Sequence, residues 1–160
     1  MPDMIVRLYD LPSLEAAHAD ATAAGFQVRR ALAPEKPQVV DWAWANFGFW
    51  APEVEVVFQR LPISCFLAVR DEKILGFSAY DAVCPNFFGP TGVVPELRGQ
   101  GIGRVLLLAA LHAQRAQGYA YAIIGGVGPA DYYAKVVGAQ MIDHSTPGIF
   151  NALPFKAPGA

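Results

Sequence analysis

The sequence predicts one α+β domain built on a mixed, mostly antiparallel sheet flanked by helices. Three features favour this class: helical stretches before residue 63, strand-like alternation after it, and one strand–glycine loop–helix–strand unit, which implies a local parallel crossover. A chain of 160 residues buries about two thirds of its unfolded surface without disulfides or a metal. We therefore expect a single domain over 1–160, with its clearest pattern over 63–153.

The first elements follow from local signals. Residues 4–9 alternate loosely, which predicts a strand. Ser13 is a favourable N-cap for a helix over Leu14–Ala24, and Gly25 ends that helix. Residues 26–31 fit either a short strand or an extended link.

A pair of helical stretches then precedes the sheet. Pro37 is well placed as a first helical residue, and apolar side chains recur at helical spacing through Phe47. A second short helical stretch covers Pro52–Arg60. All three tryptophans lie over residues 42–50. These aromatic side chains either cover one face of the sheet or form a wall over a substrate pocket.

From residue 63 onward the pattern is that of a hairpin followed by the crossover unit. The predicted elements are strands over 63–70 and 74–82, a loop into a third strand over 84–94, a helix over Ile102–Gln117, a strand over Tyr119–Ile124 and a short helix over Ala130–Val137. For the tail, the sequence predicts a closing antiparallel pair between Ala139–Ile142 and Gly148–Leu153.

Composition excludes several classes of partner and site. Twelve basic against fourteen acidic side chains leave no basic surplus for nucleic acid. No apolar run approaches the length of a membrane span, and the first residues do not resemble a secretory signal, so we expect a cytoplasmic protein with small-molecule partners. Cys65 and Cys84 are then expected to be free thiols. No histidine or cysteine spacing is typical of a metal site or a nucleophilic triad.

The segment VVPELRGQGIGR, residues 93–104, carries the strongest chemical signal. Glycines at every second position remove side chains from one face of a turn, so that backbone N–H groups can converge on an anion at a helix N-terminus. Arg98 and Arg104 add positive charge at its two edges. The alternative is a glycine-rich turn that serves packing alone.

Two nucleotide-binding patterns are absent from this segment. A dinucleotide fingerprint needs G-x-G-x-x-G and an acidic residue about 20 positions later. Here the glycine spacing differs, and no Asp or Glu occurs between Arg104 and Ala130. A Walker loop, G-x-x-x-x-G-K-[ST], is also missing. What remains is a cradle for a pyrophosphate on another kind of carrier.

The same residues resemble the acetyl-CoA motif of the GNAT N-acetyltransferase superfamily, [R/Q]-x-x-G-x-[G/A], as Arg98, Gly101 and Gly103. The later YYAKVVGA, from Tyr132, is similar to the short helix on which that family carries a tyrosine ahead of a glycine. The resemblance covers about residues 63–153 and implies a GNAT-like fold and acetyl-CoA as co-substrate, with no metal.

The resemblance also implies which residues hold the cofactor and how the reaction runs. The cofactor-binding residues would be Val93, Val94, Arg98, Gly99, Gln100, Gly101, Ile102, Gly103 and Arg104. In the family, an amine attacks the thioester directly, a base takes the amine proton, and a tyrosine protonates the departing thiolate. Tyr132 and Tyr133 are adjacent on a helix, so only one of them can face the thiol. We choose Tyr133 from its place ahead of Gly138, although this chain has five residues of separation where the family commonly has four.

For the base, the candidates are Asp81, at the end of the hairpin, and Glu96, beside the glycines. The predicted function is acetyl transfer from acetyl-CoA to the amine of a small molecule. The alternative is a non-catalytic acyl-CoA-binding or sensing module on the same fold. An exposed terminal strand could also pair across a homodimer.

Overall fold

The computed structural model of the protein describes residues 1–150, which form a seven-stranded sheet with helices on both faces. The strands are β1 Met4–Arg7, β2 Gln27–Arg30, β3 Cys65–Arg70, β4 Lys73–Tyr80, β5 Phe87–Val93, β6 Tyr121–Ile124 and β7 Gln140–Met141. The helices are α1 Leu14–Ala23, α2 Lys36–Phe47, α3 Ala51–Val56, α4 Ile102–Ala116 and α5 Ala130–Val137.

The sheet runs in the order β2-β3-β4-β5-β6-β1-β7. Every neighbouring pair is antiparallel except β5 and β6, which are parallel and are joined through α4. This confirms the predicted α+β class with one parallel crossover. It also places the first strand of the chain between β6 and β7, at the far side of the sheet from β2.

Alternation along β3 divides the interior into two cores. Phe66 and Ala68 pack on one face with α1, α4, α5 and β1, whereas Cys65 and Leu67 pack on the other face with α2 and α3. Helix α4 is the central element of the first core. Its first half is apolar almost all round, and every residue from Val105 to Leu111 is buried.

The helix starts follow the sequence signals. Ser13 caps α1 by accepting a hydrogen bond on its Oγ from the Ala16 N–H at 3.1 Å. The ambiguous segment 26–31 forms β2, because its backbone pairs antiparallel with β3 from Gln27 opposite Val69 to Arg30 opposite Phe66.

Over the described residues the predicted closing pair at the tail is wrong. Gln140–Met141 pairs with Met4–Ile5 of β1, and Gly148–Phe150 forms a single 3₁₀ turn; residues 151–153 lie outside the described residues. The free edge of β1 supplies the backbone partners of this segment. The Ile142 N–H extends it by donating to the carbonyl of Asp3 at 2.9 Å.

Candidate active site

Strands β5 and β6 pair only where β5 begins and β6 ends. Phe87 lies opposite Ile123 and Phe88 opposite Ile124, after which β6 ends while β5 continues to Val93. On the side of β6, residues 89–93 therefore have no strand partner within residues 1–150. We call the gap along this unpaired edge of β5, from Phe88 (its closed end) to the glycine loop (its open end), the cleft.

The glycine loop lies at the open end of this cleft. Gly99 and Gly101 adopt left-handed backbone conformations, with φ of +81° and +82°, and a side chain on either would point into open space. Helix α4 begins directly afterwards at Ile102, so its first N–H groups have no carbonyl one turn behind them. This backbone fits a phosphate group, since free N–H donors and the positive end of the helix dipole meet at an uncovered surface.

Two arginines flank the loop in different ways. Arg98 is exposed and folds back, its Nε donating to the carbonyl of Val93 at 3.2 Å. Arg104 pairs with the carboxylate of Asp20 on α1, also at 3.2 Å. A cavity of about 260 Å³ lies between α1 and the start of α4. It is lined by Asp20, Ala21, Phe26, Gln100, Gly101, Arg104 and Val105.

Tyr132 lies near the open end of the cleft. Its hydroxyl is buried without a hydrogen-bond partner, and it lies 3.5 Å from the position that a Cβ on Gly103 would take. Burial raises the pKa of Tyr132 to about 12, partly opposed by the positive charge of Arg104. Its hydroxyl therefore stays protonated at neutral pH and has an unused donor beside the first turn of α4.

Tyr133 lies at the closed end. Its ring packs edge to face on Phe88, with ring centroids 6.2 Å apart, and the side chain is 7% exposed. Burial, with a smaller contribution from Tyr132, raises the pKa of Tyr133 to about 12. The two side chains therefore contact different parts of the site, Tyr132 beside Gly103 and Tyr133 beside Phe88, and both hydroxyls are protonated at neutral pH.

The two predicted bases are not brought together. The Asp81 side chain is 1% exposed, pairs with Arg60 at 3.1 Å, and accepts hydrogen bonds from the Asn86 N–H at 2.9 Å and from Gln114 at 3.5 Å. Glu96 is exposed in the 3₁₀ turn between β5 and the glycine loop. Gln114, which contacts Asp81, lies twelve residues after Ile102. The rise of α4 alone therefore places the Asp81 end of the site about 18 Å from the glycine loop.

Sequence reasoning did not single out Glu53, which is half-buried near the start of α3. Burial raises the pKa of this carboxylate. It has no hydrogen-bond or ion-pair partner among residues 1–150. The available signal was its position three residues after Trp50, which places both side chains on one side of a helix.

The comparisons with known proteins agree with this geometry. A family model for the acetyltransferase (GNAT) domain matches residues 62–143, just over half of the chain. The chain belongs to the GNAT acetyltransferase family. The match confirms the resemblance seen in the glycine motif, and members of the GNAT family take their acetyl group from acetyl-CoA.

A curated relative matches part of this GNAT chain. The mycothiol acetyltransferase of Thermomonospora curvata is 38% identical over 79 residues, which make up 48% of this chain and 26% of that protein. The chain therefore spans about a quarter of the length of this relative.

Solved structures share the fold at low identity. A GCN5-related glucosamine N-acetyltransferase region of a fungal multi-domain β-N-acetylglucosaminidase has a TM-score of 0.72 at 16% identity, over 88% of this chain and 19% of that one. A GCN5-related N-acetyltransferase from Sphaerobacter thermophilus gives 0.62 at 17% identity, over 88% and 48%. A GNAT family acetyltransferase from Brucella melitensis, solved in complex with acetyl-CoA, gives 0.56 at 19% identity, over 73% and 86%.

Two further properties of the described part of the chain bear on function. Within residues 1–150, none of the helices combines the length and the apolar character needed to cross a membrane. Over the same residues, no group of three or more His, Cys, Asp or Glu side chains is arranged to hold a metal ion.

Proposed function

We propose that this protein is an N-acetyltransferase that moves an acetyl group from acetyl-CoA to the amine of a small molecule by direct attack. The observation that carries the proposal is the cleft between β5 and β6, which runs from an uncovered glycine loop to a buried tyrosine. An extended arm anchored by its phosphates at the loop would lie along the free edge of β5 with its thioester toward Phe88.

The proposed cofactor site uses backbone groups more than side chains. The N–H groups of the segment from Arg98 to Arg104 would receive the pyrophosphate, apart from those of Arg98 and Arg104 themselves, which donate to the carbonyls of Pro95 and Gly101. The unpaired edge of β5 up to Val93 and Val94 would pair with the amides of the arm. The buried hydroxyl of Tyr132 would gain its missing partner from the same arm.

Tyr133 is the proposed proton donor to the departing thiolate. Its raised pKa keeps it protonated at the pH where an amine acceptor is partly neutral, so it can donate while the base accepts. Asp81 and Glu96 remain the proposed candidates for that base. Asp81 lies at the closed end of the cleft, but its carboxylate is already engaged by Arg60.

A covalent cysteine route is disfavoured by the thiols themselves. Burial raises the pKa of Cys65 to about 12, and burial together with the negative charge of Asp81 raises the pKa of Cys84. Neither sulfur is a thiolate at neutral pH, so a direct attack by the amine needs fewer assumptions than a cysteine intermediate.

The test is release of free CoA from acetyl-CoA in the presence of a panel of amines. Tyr133→Phe should lower kcat by about 100-fold, the low end of general-acid effects, because a thiolate is already a fair leaving group. The dissociation constant for CoA should stay nearly unchanged. Tyr132→Phe is the matched control, since it should weaken CoA binding more than it lowers kcat.

Two outcomes would redirect the proposal. If CoA raises the melting temperature but no amine releases CoA above hydrolysis, the protein is a non-catalytic acyl-CoA-binding module. If CoA gives no shift at a concentration where about 2.7 kcal/mol of stabilisation is expected for ligand at 100 times its dissociation constant, both functions fail. Gly101→Glu should abolish the shift in either case, because it places bulk and negative charge in the loop.

A further inference from the structure

Residues 125–129 link the end of β6 to α5, the helix that carries both tyrosines. This link leaves β6 at the closed end of the cleft, where that strand pairs with Phe88. Its last residue, Pro129, accepts hydrogen bonds from the N–H groups of Tyr132 and Tyr133 at 3.0 and 3.4 Å. The course of the link therefore helps to set where the two tyrosines stand relative to β5.

The two residues that precede β1 hold this link. The Gly126 N–H donates to the carboxylate of Asp3, whose Oδ1 lies 2.8 Å away, and the next N–H, of Val127, donates to the carbonyl of Pro2, also at 2.8 Å. Both acceptors belong to the segment that enters β1, which pairs with β6 on the side opposite β5. After Ile124 the backbone is thus anchored on the β1 side of the sheet, and the edge of β5 stays free.

Asp3 is itself fixed through its backbone and its side chain. Its N–H donates to the Ser145 Oγ at 2.8 Å, and its carbonyl accepts from the Ile142 N–H at 2.9 Å. Its carboxylate lies against the backbone of Gly148, where a Cβ would be 3.3 Å from Oδ2. The residue is 8% exposed, so its carboxylate has lost most of its hydration, and the Gly126 N–H replaces part of that loss.

We propose that Asp3 is a positioning residue for acetyl transfer: by holding Gly126 it fixes the start of α5, and with it the Tyr133 hydroxyl relative to the thioester. This inference rests on the proposed function. In this role Asp3 acts through Tyr133 and transfers no proton itself. Loss of the carboxylate leaves the Gly126 N–H without its acceptor and frees the link, and a displacement of about 1 Å at a reacting group can lower a rate by about 100-fold.

A double-mutant cycle tests whether Asp3 acts through Tyr133. Asp3→Ala alone should lower kcat for amine-dependent CoA release by about 10-fold. In the Tyr133→Phe protein the same change should lower kcat by less than about 2-fold, because the hydroxyl that it misplaces is already gone. Asp3→Asn should recover most of the loss, since its side-chain oxygen can still accept the Gly126 N–H. Asp10→Ala is the matched control, because it removes an exposed carboxylate of the same part of the chain that contacts only Arg7, at 3.7 Å.

Two measurements without turnover separate this inference from the proposed function. By NMR, the Gly126 amide should exchange its hydrogen about 10- to 100-fold faster in Asp3→Ala, the range for a hydrogen bond to a charged group. Asp3→Ala and Tyr132→Phe should each raise the dissociation constant for CoA by about 2- to 10-fold, the range for one neutral hydrogen bond, and the double variant should bind no worse than the weaker single one. If Asp3→Ala does not fold, Ser145→Ala loosens Asp3 instead, and its smaller loss in kcat should also vanish in the Tyr133→Phe protein.

The inference is overturned if the losses in kcat from Asp3→Ala and Tyr133→Phe multiply in the double variant, or if Asp3→Asn is as slow as Asp3→Ala. Asp3 would then act on its own, as a base that takes the amine proton. If the exchange and CoA-binding results follow the prediction but no amine releases CoA, the anchoring of α5 by Asp3 stands and the proposed activity fails. If amines are acetylated with the same kcat in Asp3→Ala as in the wild type, the activity stands and the positioning role is wrong.

Discussion

Replacing Gly92 by alanine should destabilise the protein, because its Cβ would meet the Phe47 ring. Three ring atoms would lie 2.6, 2.8 and 2.9 Å away, against 3.4–4 Å for ordinary contacts, so the ring must move by most of an ångström. Overpacking of this kind costs about 1–3 kcal/mol. Restricting the unfolded chain returns about 0.4–1 kcal/mol. The expected net loss is about 1–2 kcal/mol.

Urea denaturation followed by circular dichroism measures this loss. With a slope of about 2 kcal/mol per molar urea, in the middle of the usual range, the midpoint should fall by about 0.5–1 M. Gly128→Ala is the matched control, because a Cβ at Gly128 has nothing within 4 Å. It should be neutral or slightly stabilising.

A second substitution identifies the clash as the cause. Phe47→Leu alone should destabilise through lost packing. Combined with Gly92→Ala, it should cost at least about 1 kcal/mol less than the two single losses added together, since the smaller side chain vacates the space. Strictly additive losses, or a Gly92→Ala protein as stable as the wild type, would refute the proposed contact between α2 and β5.

Three other predictions follow from charges and buried groups. Burial raises the pKa of Tyr132 and of Tyr133 from 10 to about 12, so the stability that these groups contribute is full below pH 10 and is lost as pH rises toward 12. In urea denaturation at alkaline pH, the variant with both tyrosines replaced by Phe should lose less stability than the wild type over that window. Cys84 should react with a thiol reagent in the folded protein and Cys65 only after unfolding, because Cys65 is fully buried, and equal rates for the two would contradict the packing of β3. Asp20→Asn removes an exposed carboxylate that pairs with Arg104 in the first turn of α4 and faces the glycine loop. CoA should therefore bind about 2- to 5-fold more tightly at low salt, the range for an exposed ion pair, and the gain should shrink at high salt. Weaker binding would mean that Asp20 positions the loop instead.

The elements predicted well from the sequence are those with local signals. Helix α4 and its glycine loop are encoded within residues 93–118, by a proline, alternating glycines and an apolar run. The cap at Ser13 and the hairpin of β3 and β4 are equally local. Neighbouring residues decide these structures, so their boundaries follow from the sequence alone.

What the sequence could not give depends on distant parts of the chain. Met4 pairs with Ile124 on one side and with Met141 on the other, and no local pattern in residues 4–7 predicts either partner. For the same reason, the sequence favours pairing the tail with itself rather than with β1. Burial also depends on distant residues, and so the sequence does not indicate that the Glu53 carboxylate is half-buried.

The tyrosine pair shows both limits at once. Helical geometry predicts that adjacent residues point about 100° apart, but it does not say which of them meets which surface. In the fold, the two side chains have different neighbours: Tyr132 lies beside Gly103 at the start of α4, and Tyr133 lies beside Phe88 at the start of β5. That separation depends on β5 continuing past the end of β6.

The position of β1 has a consequence for how the sheet is completed. On the ribosome, Met4–Arg7 emerges before the other strands of the sheet, yet its partners in β6 and β7 are synthesised more than a hundred residues later. Until then β1 must remain unpaired, and the loop that joins it to β6 encloses most of the chain, which slows closure. The hairpin of β3 and β4 can form long before that. The two edges of the cleft, in contrast, are fixed only after β6 has paired with β5 on one side and with β1 on the other.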